Sequence, residues 1–105
     1  MQLALRELQA ELQKLYGVNV PVIRVYGSQA RGNASPDSDI DILLLYRRAV
    51  NPGKEIQRTA PILADLNLRY GVLISVLPAT DGEYQESTEM FWRNVRREGV
   101  PIEAI

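Results

Sequence analysis

Leucines at positions 5, 8, 12 and 15 recur at helical spacing, while Arg6, Glu7, Glu11 and Lys14 fall on the other faces. The period predicts an amphipathic helix over residues 3–16, stopped at Gly17. The next run, "VPVIRVYGS", reads as a short strand opened by Pro21 and ended at Gly27. "GNASPD" has the chemistry of a loop. "SDIDILLLY" then predicts a second strand of about nine residues, counted along the quoted run. Its latter half is apolar on both faces, which calls for helices on either side of the sheet.

A second helical stripe, Ile56, Ala60, Ile62 or Leu63, Leu66 and Tyr70, runs through residues 54–70 and stops at Gly71. Pro61 lies inside it, so a kink or an effective start near Thr59 is expected. "VLISVLP" predicts a third strand, and "TDGEYQESTEMFWRNVRREG" a last helix capped by Thr80 or Asp81. Its early acids and late Arg93, Arg96 and Arg97 complement the helix dipole, and Tyr84, Thr88, Phe91 and Val95 mark its inner stripe. The pattern describes one α/β domain over residues 1–105, with a three-stranded sheet and about four helices. The apolar tail, residues 99–105, is free to dock or to meet a partner.

Composition narrows the chemistry. With 46% hydrophobic residues the chain can build a core. There is no Cys and no His, which removes thiolate chemistry, the usual general base and the commonest transition-metal ligands. Carboxylates, hydroxyls, Arg, Lys and backbone groups remain, and oxygen ligands favour Mg²⁺, Mn²⁺ or Ca²⁺ over Zn²⁺. The net charge of -1 gives no case for broad nucleic-acid binding, and the three late arginines read as surface residues at a helix end. No targeting signal or membrane span is read, so cytoplasm is the expected compartment.

Against this background, Asp39 and Asp41 stand out. Alternation puts them on one face of the second strand, with Cα atoms about 6.7 Å apart. At an effective dielectric of about 20 their repulsion amounts to about 2.5 kcal/mol. A divalent cation between them reverses that sign, and Mg²⁺ typically takes one or two carboxylates together with substrate phosphates. Upstream, Gly27 permits an unusual turn and close backbone approach. A helical turn over residues 28–31 would present free N–H groups to a phosphate, with the Ser28 hydroxyl as a further donor. Arg31 either meets phosphate or buttresses the loop through Asp37 or Asp39. A cradle of N–H groups beside a metal-binding carboxylate pair suits a nucleoside triphosphate and in-line attack at its α-phosphorus.

"GSQARG" followed by "SDID" resembles the G-S-x-x-R-G…S-D-x-D signature of DNA polymerase β-type nucleotidyltransferases. Its seven fixed positions recur by chance less than once in about 10⁷ starts. Length and element order resemble the minimal nucleotidyltransferase branch over residues 1–99. The resemblance implies the small nucleotidyltransferase fold, with a mixed sheet. It implies that Gly27 and Ser28 bind nucleotide phosphates and that Asp39 and Asp41 bind Mg²⁺ and serve catalysis. Arg31, Gly32 and Ser38 match the same pattern on the nucleotide side. Members of this branch are commonly antitoxins that transfer AMP from ATP to a tyrosine of a HEPN-domain ribonuclease toxin. The implied partner is therefore a HEPN protein in a hetero-oligomer.

One position departs from the family. The following strand usually supplies a third carboxylate, which serves the attacking hydroxyl. Here Leu73, Ser75 and Leu77 share the relevant face, and Leu73 or Ser75 takes the missing place. Of the nearest acids, Asp65 is on a helix and Asp81 and Glu83 follow the strand. This departure motivates a second reading: a nucleotidyltransferase fold that binds nucleotide and neutralises its partner by complex formation. The tail and the last helix around Trp92 would be its surfaces, although Trp92 reads first as a half-buried core aromatic.

Overall fold

The computed structural model describes residues 2–27, 30 and 39–102. The order is α1 (Gln2–Tyr16), a 3₁₀ turn (Gly17–Asn19), β1 (Val22–Tyr26), β2 (Ile40–Tyr46), α2 (Pro52–Tyr70), β3 (Ile74–Thr80), α3 (Asp81–Glu86), α4 (Met90–Glu98) and β4 (Val100–Pro101). The sheet order is β3-β2-β1-β4. β2 runs antiparallel to β1 and parallel to β3, and β4 runs antiparallel to β1. The sheet is mixed as expected but has four strands, because part of the tail, expected to dock or to meet a partner, pairs with Arg24 and Val25. Ile102 is buried in the core just beyond that pairing.

β2 is the centre of the molecule. Ile40, Ile42, Leu44 and Tyr46 face a core built with Leu5, Leu8 and Leu12 of α1 and Leu66 of α2. Leu43 and Leu45 face the other side, against Ala79, Tyr84, Trp92 and Val95. Each fully buried Leu or Ile contributes about 1.5–3 kcal/mol. A strand that is apolar on both faces is therefore held from both sides, and only its ends reach solvent.

Three helical expectations change. α2 is continuous from Pro52, where Asn51 accepts a hydrogen bond from the Lys54 N–H and Pro52 opens the first turn. Pro61 lies within it on the exposed side, and no restart occurs at Thr59. The inner face of α2 is also rotated: Glu55 and Thr59 are buried, while Ile56 and Ala60 are exposed. Partners explain this. Glu55 accepts from the Tyr16 hydroxyl and Arg58, and Thr59 Oγ1 donates to the Glu55 carbonyl.

The expected last helix is two. Thr80 and Glu83 form a capping box for α3, and extended backbone at Ser87 and Glu89 separates it from α4. The break resets the helical phase. Trp92 and Val95 then point inward, Phe91 is 44% exposed, and Thr88 lies outside either helix.

Candidate functional site

Three strand ends meet at one edge of the sheet: the end of β1 and the starts of β2 and β3. Register pairs Tyr26 with Asp41 across β1 and β2, and Asp41 with Ser75 across β2 and β3. The Ile40 N–H donates to the Leu73 carbonyl at 2.8 Å, which anchors the start of β2. Asp39 lies one residue before the strand and is exposed; Asp41 is partly buried. Burial first, and the negative charge of Asp39 second, push the Asp41 carboxyl above the usual carboxylate range. The two carboxylates thus repel one another.

Gly27 closes the site from the β1 side. Its φ of +76° lies in the left-handed region. A Cβ built there would stand 2.6 Å from Asp41 Oδ2, well inside contact distance. Glycine is required twice, for the turn and for the approach of the backbone to the carboxylate. Residues 28, 31, 32 and 38 lie outside the described residues, so the expectations for Ser28, Arg31, Gly32 and Ser38 have no structural counterpart here. Ala30, from the expected helical turn, is helical.

The strand after β2 brings no carboxylate to Asp41. Ser75 is the register partner of Asp41 and is exposed, and Leu73 is exposed beside the start of β2. Among the described residues no group of three or more acidic, His or Cys side chains could hold a metal. Two hard oxygen donors at a strand end, partly desolvated and mutually repelling, nevertheless fit a divalent cation that takes its remaining ligands from water and phosphate.

Sequence reasoning missed the aromatic wall of this site. Tyr26 pairs with Asp41, and its phenol is pushed up by burial and by the Asp41 charge. Phe91 stacks edge-on against Tyr26 with ring centroids 6.1 Å apart, and against Trp92 at 5.1 Å. Only the phase change at the α3–α4 break brings Phe91 to this edge.

The nucleotidyltransferase domain family matches residues 5–96 of the sequence. The chain belongs to that family. Among curated proteins, the putative protein adenylyltransferase of Methanocaldococcus jannaschii is 29% identical over 97 residues, covering 91% of each chain. A nucleotidyltransferase structure from Sulfolobus solfataricus superposes with a TM-score of 0.64 at 22% identity, over 96% of this chain and 78% of that one. A chain of the complex between tri-AMPylated Shewanella oneidensis HEPN toxin and its MNT antitoxin superposes at 0.55 and 14% identity, over 97% and 71%. At these identities the two structures establish a common fold. No described helix of this nucleotidyltransferase is long and apolar enough to cross a membrane.

Proposed function

We propose that this nucleotidyltransferase is an Mg²⁺-dependent antitoxin that transfers AMP from ATP to a tyrosine of a cognate HEPN ribonuclease toxin and so neutralises it. The observation that supports the reading best is the close seating of Gly27 against Asp41, the glycine proposed for phosphate beside a carboxylate proposed for the metal. The adenylyltransferase relative and the fold shared with an antitoxin of AMPylated toxin support the reaction and the partner. In this reading the protein acts in the cytoplasm.

In this reading Asp39 and Asp41 hold Mg²⁺, which supplies positive charge to the triphosphate. Gly27 and Ser28 bind the phosphates, with Arg31 and Ser38 beside them. The acceptor phenol oxygen forms a bond to the α-phosphorus as the bond to the β-phosphate oxygen breaks. Pyrophosphate leaves, and the phenol proton is released. Asp39 and Asp41 orient the triphosphate for in-line attack. β3 offers Ser75 where a carboxylate would receive that proton.

That same serine favours a second reading, in which the chain binds nucleotide and neutralises its partner by complex formation alone. One experiment separates them. The protein is incubated with labelled ATP, Mg²⁺ and the HEPN protein encoded beside it, in wild-type form and as Asp39→Asn with Asp41→Asn. Label on a partner tyrosine and loss of protection in the folded double variant support transfer. Protection by the double variant equal to wild type, with no label from wild type under any metal condition, replaces transfer with binding.

A further inference from the structure

At the other end of β2 from Asp41 lies a cavity of about 130 Å³ lined by Tyr16, Tyr46, Arg47, Arg48, Glu55 and Arg58 among others. Five strand rises separate Tyr46 from Asp41, about 17 Å, so this pocket is distinct from the carboxylate edge. Its interior is an ordered hydrogen-bond chain. Glu55, 7% exposed at the first turn of α2, accepts from the Tyr16 hydroxyl at 2.7 Å and from Arg58 Nη1 at 3.2 Å, both on Oε1. The Tyr16 and Tyr46 hydroxyls are 2.8 Å apart. Tyr16 has one proton and gives it to Glu55, so Tyr46 must donate to Tyr16. The Arg58 guanidinium also covers the Tyr16 ring at 4.6 Å.

This network leaves two things open. Glu55 Oε2 has no hydrogen-bond partner among the described residues, although the side chain is almost fully enclosed. Arg47 and Arg48 form no ion pair or hydrogen bond with any described residue. Three guanidinium groups against one carboxylate give the pocket an excess of two positive charges. An anion is therefore attracted, but it must also satisfy the Glu55 oxygen, which repels a fully ionised oxyanion and accepts from one that keeps a proton.

From this arrangement we infer that the pocket is a second binding site for monoprotonated inorganic phosphate. Arg47 and Arg48 bind the ionised oxygens in the fork geometry that guanidinium offers phosphate. The remaining P–O–H donates to Glu55. Inorganic phosphate keeps a proton through neutrality as HPO₄²⁻, whereas a monoester, whose second ionisation lies at about 6, has lost most of its own by pH 7. Sulfate of the same size carries no proton and is rejected. Glu55 thus sets selectivity, and the arginines set affinity. The inference is independent of the transfer reaction.

The test is an amide-resolved NMR titration of the full chain with sodium phosphate, glycerol 3-phosphate and sodium sulfate at matched ionic strength. At about pH 7.5, saturable shifts at Arg47, Arg48 and Val50 are expected with phosphate, and glycerol 3-phosphate, a dianion there, should bind as weakly as sulfate. Sulfate should bind at least ten-fold more weakly. Arg47→Gln with Arg48→Gln, two exposed positions, should weaken phosphate at least ten-fold, and Glu55→Gln should bring sulfate level with phosphate. Asp39→Asn with Asp41→Asn should leave the titration unchanged. Absence of saturable shifts at these residues, shifts confined to residues 27–41, or equal binding of phosphate and sulfate by wild type would overturn the inference. So would unchanged binding in the arginine variant, whose result stands even if Glu55→Gln does not fold.

Discussion

Asp41 on β2 and Ser75 on β3 are register partners in a parallel ladder, on the face that continues into Leu43, Leu45 and Ala79. A carboxylate at residue 75 would therefore stand beside Asp41 without any change of backbone. If the proposed transfer holds, Ser75→Asp is expected to raise it at saturating Mg²⁺ by about 10²–10⁴-fold, the range of general-base catalysis. Without metal the added like charge should lower stability by up to about 1 kcal/mol. Single-turnover labelling of the partner and urea denaturation with and without Mg²⁺ measure the two effects. An unchanged rate in a folded variant would mean that proton removal does not limit transfer.

The faces were legible in the sequence for a physical reason, while the pairing itself was open between Leu73 and Ser75. Strand alternation is a strict period of two, so Asp39, Asp41, Leu73 and Ser75 could be assigned to faces from the sequence alone. Helical phase was less secure. On α2 the buried face contains Glu55 and Thr59, whose polar atoms are satisfied by Tyr16, Arg58 and the Glu55 carbonyl. Hydrophobicity alone chose Ile56 and Ala60 instead. Tyr26 and Phe91 were missed for a related reason. Their place at the site depends on β1–β2 register and on the helix break near Ser87, neither of which has a local apolar signature. The two-residue strand at Val100 is shorter than any periodic pattern can reveal.

Gly27→Ala tests the close approach. The left-handed φ of +76° costs a side-chain-bearing residue about 1–2 kcal/mol. In addition, the new methyl group would meet Asp41 Oδ2 at 2.6 Å and must displace it. The expected result is a folded protein destabilised by about 1–3 kcal/mol, with transfer reduced at least ten-fold, because a shift on the order of 1 Å at a reacting group can cost about 100-fold. Chemical denaturation and partner labelling report these separately. Wild-type transfer would show that Asp41 need not hold its position.

Glu7 should shape the acid limb of stability. It accepts from Arg69 and Tyr70 across the α1–α2 contact, and these hydrogen bonds, led by that from Arg69, lower its pKa below the ordinary value of 4.5. A depressed folded-state pKa stabilises the native state above the unfolded value, and that contribution disappears as pH falls through the folded value. Glu7→Gln should therefore be less stable than wild type at pH 7, with the difference shrinking as pH falls below about 4.5 and through the depressed folded-state value. Urea midpoints across this range check it. A difference that persists undiminished at the acid end would assign the effect to packing instead of charge.

The phase of α4 gives opposite expectations for two adjacent aromatics. Trp92 is 8% exposed and packs with Leu43, Leu45, Ala79, Tyr84 and Val95. Trp92→Ala should remove about 3–5 kcal/mol of stability by emptying that core. Phe91 is 44% exposed and touches Tyr26 and Trp92 by ring edges. Its truncation forfeits ring contacts worth about 0.5–1.5 kcal/mol beyond a partial loss of burial, so Phe91→Ala should cost less than half as much as Trp92→Ala. Had one helix run unbroken from Thr80, the order would be reversed, since Phe91 would then share the inner stripe with Tyr84 and Val95. Parallel denaturation of the two variants decides between the phases, and the larger loss must fall on Trp92 if the break at Ser87 persists in solution.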